Sequence, residues 1–176
     1  INIGLCGLGT VGYGVYKVLR RNADLISARA GSNISVTHIG TRSSHACRET
    51  ESVKISSNVF QVAEDPGVDI VVELIGGTAV AFDLIMTAIR NRKHIVTANK
   101  ALIAERGQEI FFEAEKNQVV VAFEAAVAGG IPIIKALREG LVANDVNWMA
   151  GIINGTSNFI LSEMASKKRE FHDVLE

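Results

Sequence analysis

The sequence predicts an α/β fold, a doubly wound parallel β-sheet followed by the beginning of a second α+β domain. Three observations support this prediction. Residues 1–6 form a short apolar run that is followed by a glycine-rich turn and a helical pattern. Strand-like and helix-like segments then alternate as far as residue 123, which is typical of parallel strands joined by right-handed crossovers. The alternation changes near residue 130, so we predict a Rossmann-type domain over residues 1–130 and an incomplete second domain over residues 131–176.

The glycine-rich turn carries the pattern G-x-G-x-x-G between the first strand and the first helix. Gly7 permits a tight turn, Gly9 lets the backbone approach a pyrophosphate, and Gly12 lets the helix pack close to the strand. The free N–H groups at the helix start would then face the phosphates. The alternative is a purely structural turn. The residues that we predict to bind a dinucleotide here are Gly7, Gly9, Thr10, Val11 and Gly12.

Composition excludes several classes of protein. The chain has 176 residues, is 48% hydrophobic and carries a net charge of -1 without a basic run, so we expect no nucleic-acid partner and no membrane partner. No apolar run is long enough to span a membrane, and no signal peptide is visible. Cys6 and Cys47 form neither a disulfide framework nor a metal-binding spacing, which indicates a cytoplasmic protein.

Hydrophobic periodicity places the individual elements. The predicted strands are residues 1–6, 34–39, 68–75, 94–97 and 119–123. The first helix would turn Val11, Val15, Val18 and Leu19 to one side, a second would bury Leu84, Ile85, Ala88 and Ile89, and a third spans residues 101–117. We predict a polar loop at residues 22–33 and weak patterning at residues 47–65. In the second domain we predict a helix over 131–141, a strand over 146–153 and a helix over 157–168.

The segment that follows the second strand bears on the choice of cofactor. Residues at this place meet the adenosine ribose in a dinucleotide fold, and an acid there would hold the 2′-hydroxyl. The chain has no acid at this place and instead offers Arg42, followed by Ser43 and Ser44. The arginine fork suits a 2′-phosphate, which predicts a preference for NADP. The alternative is a solvated loop arginine.

Two other predicted strands are followed by candidate site residues, at the edge of the sheet where ligands bind. Gly76 and Gly77 form a turn after one strand, and Asn99 and Lys100 follow the next. A lysine at a helix N-terminus opposes the helix dipole, so a role in holding a substrate oxygen or carboxylate is favoured over a merely exposed lysine. Glu73 is either hydrogen-bonded or faces the crevice of the cofactor.

Two further motifs each allow two interpretations. Glu124 ends an apolar strand, where a carboxylate needs backbone N–H groups, a cation or a metal as its partner. It either caps the helix that is predicted to begin near Ile131 or binds a cation. In the turn at Asn154, either Thr156 or Ser157 could cap a helix, or the helix start could bind a carboxylate or carbonyl ligand. The four histidines show no spacing typical of metal ligands.

Taken together, these motifs resemble those of the homoserine dehydrogenases, and they follow that family's order over nearly the whole chain. The first motif is shared by many dehydrogenases, whereas the last two are specific to this family. The matching segments are residues 7–12, 73–77, 97–101, 124–133 and 151–161.

The resemblance implies a reversible oxidation of L-homoserine to L-aspartate 4-semialdehyde with NADP or NAD, in threonine and methionine biosynthesis, by a homodimer or homotetramer. Gly76, Gly77 and Asn99 would line the cofactor, and Lys100 would be the catalytic residue where nicotinamide and substrate meet. Gly155 and Thr156 would contact homoserine. Glu124 would bind a monovalent cation, sodium by analogy, together with the backbone carbonyls of Val127, Gly129 and Ile131.

The resemblance also implies that some of the chemistry lies outside residues 1–176. The family's substrate carboxylates and its acid/base lysine are expected after Glu176, so we expect this chain by itself to bind cofactor without turnover. Two alternatives remain open: another amino-acid dehydrogenase, similar to an aspartate dehydrogenase, or a nucleotide-binding fragment without catalytic activity. The motif that begins at Asn154 argues against the aspartate dehydrogenase.

Overall fold

The computed structural model describes residues 1–42, 53–152 and 154–175. The chain separates into two compact units, Ile1–Lys135 and Ala136–Glu176. The first unit contains the glycine-rich turn and the sheet. The second contains the predicted substrate motif. Within the described ranges, no helix is long and apolar enough to cross a membrane.

Six parallel strands form one sheet in the part of the chain that the structure describes, in the order β3-β2-β1-β4-β5-β6. The order reverses direction between β1 and β4, which confirms the predicted doubly wound α/β fold. The strands are β1 Asn2–Cys6, β2 Ser35–Gly40, β3 Lys54–Ser56, β4 Ile70–Glu73, β5 His94–Thr97 and β6 Val121–Ala122.

Helices connect these strands and continue into the second unit. Those of the first unit are α1 Thr10–Arg21, α2 Ala23–Ala30, α3 Phe60–Glu64, α4 Ala79–Arg90, α5 Lys100–Lys116 and the single turn α6 Ile133–Lys135. A 3₁₀ turn, Glu124–Ala126, lies between β6 and α6. The second unit begins with a π-helical turn, Ala136–Gly140, followed by α7 Gly155–Lys167 and α8 Phe171–Leu175.

Apolar side chains pack on both sides of the sheet. One cluster joins the sheet to α3, α4 and α5, and it buries the α4 face predicted from the sequence: Leu84, Ile85, Ala88 and Ile89. The other cluster lies beside α1 and consists of Ile3, Leu5, Leu8, Tyr16, Ile39 and Val72. The two clusters hold the carboxyl ends of the strands in a fixed arrangement, because every central strand is packed on both faces.

The structure departs from the predictions for the first unit in two places. Val15 and Leu19 of α1 pack against the core as predicted, but Val11 and Val18 are exposed. The helix also packs through Gly12 and Tyr16, because a glycine brings the helix close to the turn before it. Residues 23–30 form α2, which ends where Gly31 adopts a left-handed φ of 68°. This helix was missed because its sequence lacks a strong apolar stripe, and none of its residues is fully buried. Residues 54–64 contain β3 and α3.

The predictions for the second unit failed in two places. The helix predicted over 131–141 is the short α6 followed by the π-helical turn. Residues 146–152 form no strand, and Ile153 lies outside the described residues. A strand requires a hydrogen-bonding partner, and among the described residues none pairs with this segment. The final predicted helix is present as α7 but begins two residues earlier, at Gly155.

Candidate functional site

The candidate site lies where three neighbouring strands end. Cys6 at the end of β1 pairs in register with Glu73 at the end of β4, and Glu73 pairs with Thr97 at the end of β5. The segments that follow these residues therefore meet at one edge of the sheet. They include Gly7, Gly76, Gly77, Asn99 and Lys100, which the sequence analysis predicted as site residues.

In the glycine-rich turn, the fold has no room for a side chain at Gly7 or Gly12 but has room at Gly9. Gly7 has a φ of 99°, and a Cβ there would lie 2.5 Å from the Leu74 carbonyl oxygen. A Cβ on Gly12 would overlap the Gly7 carbonyl oxygen. A Cβ on Gly9, in contrast, would meet no atom within 4 Å. The space beside Gly9 is therefore open to a ligand.

The start of α1 faces this open space. Gly9 is the N-cap residue and provides no side-chain hydrogen bond, and the first turn contains no acidic residue. Thr10 and Val11 are exposed. The first N–H groups of a helix carry partial positive charge, so this terminus is suited to an anion such as a phosphate.

Asn99 links the turns that follow β4 and β5. It is the N-cap residue of α5, where its Oδ1 accepts a hydrogen bond from Leu102 N at 3.1 Å. Its Nδ2 donates to the Gly77 carbonyl oxygen at 2.6 Å. Lys100 is the first residue of α5 and is exposed. Its ammonium has no hydrogen-bond or salt-bridge partner among the residues that the structure describes.

Glu73 is hydrogen-bonded and does not face a crevice, which decides between the two interpretations of this residue. Its side chain has no exposed surface, and its Oε1 accepts from Ile75 N at 2.9 Å. Its Oε2 accepts from the Thr97 hydroxyl at 2.6 Å. Burial, and secondarily the negative charge of Glu73, raises the pKa of the Cys6 thiol to about 12, so Cys6 is an inert core residue.

Thr97 is a polar residue of the site that the sequence analysis did not select. Its hydroxyl donates to Glu73 and accepts from Asn99 N at 3.0 Å. Two sequence signals pointed to it: Thr97 has a hydroxyl at the end of an apolar strand, and it begins the segment 97–101 that resembles the family.

Arg42 follows β2 and is exposed, as a residue that contacts a ribose substituent should be. The preceding residue, Thr41, donates its N–H to the Ser56 carbonyl oxygen at 2.9 Å, which ties the end of β2 to β3. Ser43, Ser44 and Cys47 lie outside the described residues.

A partly buried polar cluster joins the same two strands. His38 Nδ1 is 2.7 Å from Asp65 Oδ2, and His38 Nε2 is 2.7 Å from Ser56 Oγ. Lys54 Nζ donates to the same Asp65 oxygen at 2.8 Å. Burial lowers the pKa of His38, and the hydrogen bond from Lys54 is the main cause that lowers the pKa of Asp65 to about 2. A neutral His38 fits this arrangement as a donor to Asp65 and an acceptor from Ser56.

Glu124 has the geometry of the capping interpretation. Its Oε1 accepts from Ile134 N at 2.9 Å and its Oε2 from Lys135 N at 2.8 Å, both in α6. The chain between these residues contains two consecutive left-handed positions, Ala128 with φ 53° and Gly129 with φ 61°. Among the described residues, no group of three or more His, Cys, Asp or Glu side chains is arranged to hold a metal ion.

In the second unit, the helix cap differs from the predicted one. Asn154 caps α7, since its Oδ1 accepts from Ser157 N at 2.8 Å. Neither Thr156 nor Ser157 is the cap residue. Gly155 and Thr156 are the first two residues of α7, and both are exposed.

The sheet is parallel and doubly wound, and the glycine-rich turn lies beside the point where the strand order reverses. No side chain fills the space next to Gly9. These features define a dinucleotide-binding domain of the Rossmann type. Comparison with known families agrees. The family model for "Homoserine dehydrogenase, NAD binding domain" matches residues 7–124, and the model for "Homoserine dehydrogenase" matches residues 132–176. The chain belongs to the homoserine dehydrogenase family.

Individual relatives agree with this assignment. The chain is 58% identical to the homoserine dehydrogenase of Pseudomonas aeruginosa over 99% of its length, and 56% identical to that of Neisseria gonorrhoeae. The crystal structure of a homoserine dehydrogenase from Thiobacillus denitrificans matches 99% of the chain with a TM-score of 0.89 and 57% identity. The chain covers 40% and 41% of the two curated relatives and 41% of the crystallised chain.

Proposed function

We propose that the protein carrying this chain is an NAD(P)-dependent homoserine dehydrogenase that interconverts L-homoserine and L-aspartate 4-semialdehyde. The observation that carries the proposal is the identity of 58% with a homoserine dehydrogenase over 99% of the chain. The glycine-rich turn is consistent with it, because it stands before the uncapped start of α1, where free N–H groups suit a phosphate. The reaction belongs to threonine and methionine biosynthesis, and we propose a cytoplasmic location.

The cofactor would lie along the carboxyl ends of β1, β4 and β5. The pyrophosphate would contact the backbone from Gly7 to Gly12, where the start of α1 presents free N–H groups. The nicotinamide end would lie beside Gly76, Gly77 and Asn99, since those turns occupy the same edge of the sheet. The bound group supplies a hydride acceptor, and the chain supplies its orientation.

Lys100 is the catalytic residue that we propose within this chain. Its exposed position at the start of α5, with no partner among the described residues, leaves the ammonium available for a ligand. It would hold the substrate oxygen that gains or loses charge as the hydride moves. Gly155 and Thr156, at the start of α7, would contact homoserine through exposed N–H groups.

We also propose that Glu124 binds a monovalent cation such as sodium. Its further ligands would be the carbonyl groups of Val127, Gly129 and Ile131, because carboxylate and carbonyl oxygens are the hard donors that such a cation prefers. Each carboxylate oxygen keeps acceptor capacity beyond the one N–H that it binds. Thermal unfolding in sodium chloride against choline chloride tests this proposal. Sodium should raise the Tm of the parent and not of Glu124→Gln, and equal Tm values in both salts would contradict it.

The second unit supports the proposal of a homodimer or homotetramer. Trp148 is 80% exposed, Met149 67% and Ile152 73%. Such side chains are suited to a surface that a partner subunit covers, or that the rest of the protein covers, since the chain spans about 40% of the length of its relatives.

The direct test is a substrate panel on the full-length protein. Reduction of NADP or NAD is followed with L-homoserine and with L-aspartate, and Lys100→Ala is assayed beside the parent. We expect homoserine-dependent reduction, and a loss of about 10²–10³-fold in kcat/KM for Lys100→Ala, the loss typical of one oriented charge at a reacting oxygen. Reduction with aspartate alone would identify an aspartate dehydrogenase, and reduction with neither would favour a nucleotide-binding protein.

A further inference from the structure

Glu73 and Thr97 form a buried polar chain that the proposed cofactor contacts do not include. Neither side chain is accessible to solvent. They lie at the ends of adjacent strands and pair in register, so their side chains meet inside the sheet edge. A buried carboxylate and a buried hydroxyl are unfavourable unless their hydrogen bonds are satisfied, and here both are satisfied.

Hydrogen bonds from this pair reach both turns of the site. Glu73 holds the backbone of the first turn through Ile75 N, and Thr97 holds the backbone of the second through Asn99 N. The Asn99 side chain then closes the ring by donating to the Gly77 carbonyl oxygen. Hydrogen bonds therefore link the two turns to each other through Glu73, Thr97 and Asn99.

The first turn needs such a constraint. Gly76 and Gly77 have left-handed φ values of 73° and 70°, both glycines are exposed, and a Cβ on either would meet no atom within 4 Å. Consecutive glycines in this region have great conformational freedom, and surrounding atoms do not restrict these two. The bond from Asn99 to Gly77 and the bond from Glu73 to Ile75 hold the turn from both sides.

We propose that Glu73 and Thr97 are positioning residues, which fix the turn at Gly76–Gly77 relative to Asn99 and Lys100 and so orient the nicotinamide for hydride transfer. This inference rests on the proposed function. Apolar residues of similar volume at both places would give a sheet edge of comparable stability, because satisfied buried polar pairs contribute little net stability. Apolar residues cannot bind the N–H groups of Ile75 and Asn99, whereas the polar pair binds both and so fixes the backbone of the two turns.

The experiment compares two substitutions of Thr97 in the full-length protein. Thr97→Val keeps the volume and removes the hydroxyl, whereas Thr97→Ser keeps the hydroxyl and removes a buried methyl group. We expect Thr97→Val to lower kcat with homoserine about 10–100-fold, the range for a misplaced reacting group. Thr97→Ser should keep kcat within about threefold of the parent even though its Tm falls.

Thr37→Val is the matched control. Thr37 lies in β2, and its buried hydroxyl has no hydrogen-bond partner among the described residues. This variant makes the same chemical change in the same sheet, so it should leave kcat unchanged. Glu73→Gln provides a second variant if Thr97→Val does not fold. It keeps the shape and an oxygen that accepts from Ile75 N, but an amide NH₂ replaces Oε2 and cannot accept from the Thr97 hydroxyl. We expect Glu73→Gln to lower kcat as Thr97→Val does.

A binding measurement separates this proposal from the proposed function. NADPH and a 2′-phospho-ADP-ribose fragment that lacks the nicotinamide are each titrated into the parent and Thr97→Val. The proposal predicts weaker binding of NADPH to the variant and equal binding of the fragment, whether or not homoserine is oxidised. Equal loss for both ligands, or kcat within twofold of the parent in both Thr97→Val and Glu73→Gln, would show a purely structural role and overturn the proposal.

Discussion

The two compact units differ in where their apolar side chains lie. In the first unit, Leu84, Ile85 and Ile89 have no exposed surface, and the buried carboxylate of Glu73 has its hydrogen-bond partners. In the second unit, none of the described helices has a buried residue, and Trp148 is 80% exposed. The first unit contains its own core, whereas the second offers an apolar surface typical of an interface.

The largest expected effect tests this difference directly. Leu84→Ala in α4 should lower the free energy of unfolding of residues 1–176 by about 2–5 kcal/mol, because it leaves a cavity in a closed core. Trp148→Ala should change it by less than about 0.5 kcal/mol, as is usual for an exposed side chain. Urea unfolding measures both values. A loss of similar size for Trp148→Ala would show that the second unit has a core of its own.

The same difference explains how far the sequence predicts the fold. In the first unit the four α4 residues predicted to face inward are all buried, since a helix that covers a sheet needs an apolar stripe at helical spacing. The run over residues 146–152 has an equally apolar composition but forms no strand. Strand formation depends on a partner, and local composition does not reveal one.

The local conformation of the glycine-rich turn could be predicted from the sequence, whereas contacts between strands could not. Gly7 and Gly12 were assigned correct conformational roles because a turn between adjacent elements is encoded locally. The contact between Glu73 and Thr97 joins residues 24 positions apart. It depends on the register of two strands, and no local pattern reveals it. Glu124 had two interpretations in the sequence analysis, and its hydrogen bonds have the geometry of a cap.

The next prediction concerns Arg42, an exposed residue of the first unit, and its effect on the affinity for the cofactor. We expect the full-length protein to bind NADPH more tightly than NADH, and Arg42→Ala to remove that difference. One charge-assisted hydrogen-bonding pair contributes about 1.5–3 kcal/mol, which is roughly a factor of 10–150 in Kd. Fluorescence titration of both cofactors measures it. Equal affinities in the parent would make Arg42 an ordinary surface arginine.

The smallest expected effect is the dependence of stability on pH that arises from the partly buried polar cluster at β2 and β3. His38 has a lowered pKa, so protonation is less favourable in the folded chain and stability should fall as the pH drops below about 6.5. The Asp65 pKa of about 2 adds stability that is complete above pH 4 or so and is lost as the pH falls toward 2.

Asp65 contributes roughly 1–2 kcal/mol, reduced from the full shift because its partner Lys54 is 61% exposed. Chemical unfolding at a series of pH values measures both steps, with Asp65→Asn as the comparison. The acid step should be smaller in Asp65→Asn than in the parent. A parent protein whose stability is constant between pH 7 and pH 3 would contradict the assignment for both groups.

The central claim, that the first unit binds a dinucleotide at its glycine-rich turn, is tested most directly by Gly9→Ala with Gly14→Ala as its control. Both glycines have open space around a Cβ, so neither variant should lose stability. Gly14 lies within α1, beyond the residues Gly7 to Gly12 that we propose to contact the pyrophosphate. Titration of NADPH should show that Gly9→Ala loses at least about tenfold in affinity, or about 1.4 kcal/mol, because its methyl group occupies the place of the pyrophosphate. Gly14→Ala should bind as the parent does, and unchanged affinity in Gly9→Ala would contradict the account.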